Sequence, residues 1–149
     1  MRSFWRVGAG VAAGALALGA ASPPHLASLT PDEVPRLKAG LWRGQVSVDG
    51  GAPVIGNYCN HGDPVVKPPK GRCSHFEVRR AADGSIVTDS SCVDDSGVSA
   101  SLHSVTSGDY ATAYVQDGRT ERTMALQPPL VTTAHMSFRY IGPCSKKGS

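Results

Sequence analysis

The chain has 149 residues, and setting aside the first 21 as a leader leaves 149 − 21 = 128, room for one hydrophobic core and not for two. Of 15 Lys and Arg against 12 Asp and Glu, Arg2 and Arg6 fall in the leader, so the remainder balances at 13 − 12 = +1. That near-neutral charge, with only three Phe, two Trp and four Tyr in the whole chain, excludes the basic, stacking surface of a nucleic-acid binder.

Arg2 and Arg6 open a short basic start, and Val7 to Ala21 is an uncharged run of Ala, Gly, Val and Leu that closes on Gly19, Ala20 and Ala21. This is the layout of a secretory signal peptide over residues 1–21, too short and too weakly apolar for a bilayer span. Residues 22–36 carry Pro23, Pro24, Pro31 and Pro35 with few bulky side chains and read as a Pro-rich tether. The folded domain is expected over 37–149, exported to the periplasm, with no transmembrane span once the leader is removed.

From there on, β-branched residues and period-two alternation recur between turn signals, so the class is all-β. Trp42, Gly44, Val46 and Val48 share one face of a first strand, Asp49-Gly50-Gly51 supplies a tight turn, and Val54 to Cys59 returns. Asn60 to Arg72, with Pro64, Pro68 and Pro69, reads as a loop too polar to be core. Phe76 and Val78 mark a third strand, Asp83-Gly84 a turn, and Ile86 to Cys92 a fourth. Asp94 to Gly97 turn again. Val98, Ala100 and Leu102 line the inward face of a fifth strand, with Ser99, Ser101 and His103 outward.

Tyr110 to Gln116, Thr120 to Leu126 and Leu130 to Ile141 complete the set, with Asp117-Gly118 and Gln127-Pro128-Pro129 read as the turns between them. Ala134, Met136, Phe138 and Tyr140 fall on one side of the last strand. The expectation is a single antiparallel up-and-down meander of about eight strands, forming a curved sheet or incompletely closed barrel stapled by two disulfides. The expected inward apolar face includes Trp42, Val46, Val48, Val98, Ala100, Leu102, Ala134, Met136 and Phe138.

Cys59, Cys73, Cys92 and Cys144 all follow the leader, and an even count in a small exported chain favours disulfides in an oxidising compartment. In a strict meander all four fall at one pole. Pairing Cys73 with Cys92 across a hairpin, with a small bulge, and Cys59 with Cys144 is preferred. Pairing Cys59 with Cys73 and Cys92 with Cys144 satisfies the same placement and stays open.

In order along the chain, Leu37 to Trp42, Tyr58-Cys59, Cys73 and Cys92 about a hairpin, Gly108-Asp109-Tyr110 and Arg139 to Cys144 resemble the DUF3617 family of exported bacterial proteins. The resemblance covers nearly the whole expected domain and implies export and a β-rich fold. It brings no established activity, cofactor or catalytic residue. Asn60-His61-Gly62-Asp63-Pro64 departs from the family's usual Thr-Pro-acidic run, which sets that loop apart.

Cys59-Asn60-His61 and Cys73-Ser74-His75 are two Cys-x-His pairs that could in principle meet around zinc, but oxidised cysteines are the plainer reading and no metal or other cofactor is expected. No Gly-x-Ser-x-Gly elbow or His-Glu-x-x-His occurs. Alternation puts His103 and His135 on outward faces, and Asp94 and Asp95 are turn residues. Trp42, on the apolar face with Val46 and Val48, is expected to be core rather than a ligand platform. The sequence therefore favours a non-enzymatic module binding an apolar envelope component on its concave face or at a pole. A protein-interaction module using an exposed strand edge is the alternative, with an enzyme or zinc protein behind both.

Overall fold

The computed structural model describes residues 26–144, so the leader at 1–21 lies outside the described residues. Eight strands form one antiparallel sheet: β1 (Ala27–Ser28), β2 (Gly40–Val48), β3 (Val54–Asn60), β4 (Arg72–Arg80), β5 (Ile86–Val93), β6 (Ser99–Gly108), β7 (Ala113–Thr123) and β8 (Leu130–Gly142). Their order is β1-β4-β5-β6-β7-β8-β2-β3. The connections from β4 to β8 follow the expected meander, and β2 joins β8 antiparallel from Leu41↔Gly142 to Val48↔Ala134. The sheet is not closed, because β3 and β4 stand at or beside its two free edges.

The count of eight is reached by a different route from the one expected. Asp117-Gly118 is not a turn: Asp117 pairs with Val105 and His135, and Gly118 with Ser104 and Ala134, inside one long β7. Gly118 keeps an ordinary negative φ, whereas Asp49, Gly50, Gly84 and Gly97, at true turns, have φ of 49°, 73°, 86° and 82°. Fusing two expected strands has a topological effect. From β4 round to β3 seven strands alternate in direction, so β3 and β4 run the same way and cannot meet as an antiparallel pair.

The missing strand is made up at the N-terminal side. β1 lies within the segment expected as a tether and pairs with the end of β4, Ala27↔Arg80 and Ser28↔Arg79. Val34, also inside that segment, and Leu37 are 7% and 6% exposed. A tether boundary at residue 36 therefore cuts through ordered, packed chain. Thr30-Pro31-Asp32-Glu33 is a helix-start signature, and it forms one capped turn here, with the Thr30 amide and hydroxyl both donating to Glu33 Oε2 at 2.8 Å.

Two disulfides form, Cys59–Cys144 and Cys73–Cys92. The hairpin pair sits beside the register shift that its spacing demands, between Cys73 and His75. The four cysteines do not share a pole. Cys59 pairs with Leu41 at the end where β2 begins, while Arg72 pairs with Val93 and Cys73 with Cys92 at the opposite end. Residues 61–71 carry the chain the length of the sheet instead of turning it back, which separates the two bridges. Disulfides of this kind place the domain outside the cytoplasm, in an oxidising compartment. No helix among the described residues is long and apolar enough to cross a membrane.

Candidate functional site

The concave face was the expected site, and one end of it is filled by its own side chains. Trp42 is fully buried, its Nε1 donating to the Lys38 carbonyl at 2.9 Å. Its ring meets Tyr114 and Tyr140 edge-on, each at 5.6 Å between centroids, and Tyr114 stacks on Phe138 at 4.5 Å. Room for Phe138 comes from Gly44, where an added Cβ would lie 2.6 Å from the ring. The Tyr58 and Tyr114 hydroxyls lie 2.9 Å apart, and burial pushes the Tyr114 phenol well above its usual range.

The rest of the expected apolar face divides. Val46, Leu102 and Met136 are half-buried further along the concave surface, as are Val98, Ala100 and Ala134, while Val48 is 48% exposed. Ser104 and Thr106 continue the Leu102 face and are buried, opposite buried Thr88 and Ile86 on β5. Thr88 and Thr106 find no partner for their hydroxyls among the described residues.

A hollow walled mainly by apolar side chains lies instead at the seam between β4 and the segments that cross it. Beyond β1, the Leu29 amide donates to the Val78 carbonyl at 2.8 Å, the Thr30 turn reverses the chain, and the Val65 amide donates to the Pro35 carbonyl at 2.8 Å. Arg36 and Pro64 form an isolated bridge. The 61–71 loop is held at its start by Asn60, whose Oδ1 accepts from the Gly62 and Asp63 amides at 2.7 and 3.0 Å. Between these segments and β4 opens a groove of about 420 Å³.

Its walls are Leu29, Pro31 and Val34 from the N-terminal side, Pro64, Val66 and Pro68 from the loop, and Phe76 and Val78 from β4. Ser28 and Glu77 are its polar members, joined by a hydrogen bond of 2.9 Å from the Ser28 hydroxyl to Glu77 Oε1. Val34, Val78 and Ile86 form the buried cluster beneath, with Val65 and Val66 packed against it, so the loop expected to be too polar for the core supplies part of it. None of the eight apolar wall residues was in the expected set. The capped turn at Thr30–Glu33 was the signal that this stretch is ordered; the polar and proline neighbours of Val65 and Val66 hid the loop's share.

A second hollow of similar volume, about 420 Å³, opens on the concave side at the far end. Leu102, Ala100 and Leu130 line it together with Lys70, Asp94 and Arg122. Its charged wall suits an apolar guest less well than the seam does.

The convex face carries His103 and His135. His103 Nδ1 lies 2.7 Å from Asp89 Oδ1 and His135 Nδ1 lies 2.7 Å from Asp117 Oδ1, both imidazoles 58% exposed and turned outward. Burial alone would raise the Asp89 carboxyl, but its bonds to His103 and Arg79 more than offset this and hold it below its usual value. The two Cys-x-His pairs are at opposite ends of the sheet with their sulfurs in disulfides, so they do not assemble as one ligand set.

A family model described as "Protein of unknown function (DUF3617)" matches residues 37–144. No curated protein and no solved structure matches the chain.

Proposed function

The chain belongs to the DUF3617 family, a family of unknown function, and from that premise we propose that it is a non-enzymatic binding module which takes an apolar envelope component in the groove beside β4. The observation that carries this reading is the chemistry of the groove: eight of its ten wall residues are apolar, over a floor that is itself core. Its volume of about 420 Å³ falls in the range of small-molecule sites.

Burial of an alkyl chain against these walls gains ~25 cal/mol for each Å² of apolar surface removed from water. The Ser28–Glu77 pair at the rim is positioned to accept the polar end of such a molecule, and a carboxylate there favours a hydrogen-bond donor over an anion. In this reading the leader at 1–21 exports the chain and the domain works in the periplasm, where its disulfides persist.

Dodecanol is a suitable probe. It should raise the melting temperature of the disulfide-intact protein, and Val66→Lys should abolish that rise, since the charge would sit in the apolar wall. Native mass spectrometry of protein purified from an envelope extract should show an apolar small molecule bound. If none accompanies the protein and dodecanol leaves the melting temperature unchanged, the reading is wrong.

A further inference from the structure

We propose that the outer edge of β3 pairs antiparallel with β3 of a second copy of this chain, closing a two-fold dimer; this stands independently of the groove. β3 is the last strand of the sheet and hydrogen-bonds only to β2. No loop hydrogen-bonds to its other edge among the described residues. An edge of this kind is a template for another strand unless something blunts it.

Nothing in Val54–Asn60 does so. The strand is VIGNYCN, with no charge, no proline and no register shift against β2. Val54 and Ile55, on opposite faces, are 73% and 59% exposed, and a Cβ built on Gly56 would meet nothing within 4 Å. Among the described residues, β3 thus leaves apolar surface and a row of backbone donors and acceptors uncovered together.

The occupant is a second copy because the strand complements itself. With the two-fold axis at Gly56, antiparallel pairing sets Val54 against Tyr58 and Ile55 against Asn57, so no like charges oppose one another. The neighbouring cation, Arg43 on β2, already points its Nε at Asn57 Oδ1, 3.4 Å away. Growth stops at two. Two-fold pairing uses the β3 edge of both copies, so a third copy finds no free β3 in the dimer.

Sedimentation velocity of the disulfide-intact protein over a range of concentrations should show monomer and dimer and nothing larger. Ile55→Lys should weaken dimerisation ~10-fold or more by placing like charges on either side of the axis, and Val54→Lys, separately, should weaken it by replacing apolar contact across the pair with a charge that must lose water. Both positions face solvent in the monomer, so the melting temperature measured at the dilute, monomeric limit should hold. A protein that stays monomeric up to about 1 mM, a dimer indifferent to both substitutions, or open-ended oligomers would each overturn the proposal.

Discussion

At the end of the sheet where β2 begins, Trp42, Tyr114, Phe138 and Tyr140 interlock and Tyr58 ties in through its hydroxyl; at the other end the same inward positions hold Val48, Val54, Ala100, Ala134 and Leu130. Trp42 is fully buried, whereas Val48 is 48%, Val54 73% and Leu130 55% exposed. Alternation is identical at the two ends, and side-chain volume separates them. Long aromatic rings reach across the concavity and meet, while short aliphatic chains leave it open. The aromatic end carries the fold, and the far end and the seam keep free surface.

The sharpest way to break this comparison is through the staples, one at each end. On the chain-entropy scale, removing Cys59–Cys144, separated by 85 residues, should cost about 4.5 kcal/mol, and removing Cys73–Cys92, separated by 19, about 3 kcal/mol. Paired Cys→Ala variants in denaturant titrations give both values. Equal costs, or a larger one for the hairpin bridge, would show that loop length does not set what each end draws from its staple.

Within the core, Trp42→Ala should lose about 3 to 5 kcal/mol, combining transfer and cavity effects, whereas Val48→Ala should stay within about 0.5 kcal/mol. Equilibrium unfolding monitored by circular dichroism compares them directly. A large loss at Val48 would mean that the far end is covered in solution.

A smaller effect of opposite sign is expected between the two ends. Thr106 is fully buried with an unpartnered hydroxyl, so Thr106→Val should raise stability by about 1 kcal/mol, by removing a group that gave up water without compensation. A loss of similar size in the same unfolding experiment would point to a bound water or ligand atom at that hydroxyl.

Strand alternation was legible wherever the inward residues were apolar. It made Trp42, Leu102 and Phe138 readable as a face, and the Cys73–Cys92 bulge followed from residue counting. It failed where the inward residues were hydroxylic. Ser104 and Thr106 lie on the Leu102 face yet look like solvent residues, so neither entered the expected inward face, although Gly108-Asp109 reads as the turn that ends this strand. Asp117-Gly118 carries turn residues in a place where no positive φ is needed, because Asp117 reaches His135 across the ladder and Gly118 opposes Ser104 and Ala134. Leu126, read as strand, sits in the β7–β8 turn at φ 65° and is fully exposed. The groove was illegible for a related reason: six of its eight apolar walls come from two proline-rich stretches whose apolar residues have no period, and only tertiary packing brings Val34 and Val66 onto Val78 of β4.

The covalent link between Cys144 and Cys59 also makes the domain mechanically lopsided. Tension on the C-terminal side of Cys144 divides between β8 and, through the sulfur bridge, β3, so β8 cannot be unzipped from its free end. Tension on the N-terminal side meets a ladder two residues long, then the single bond from Leu29 to Val78, then the bond between Val65 and Pro35. These are the same contacts that build the seam. A pull from that side would strip the groove and release whatever it holds while the seven-stranded remainder stays folded.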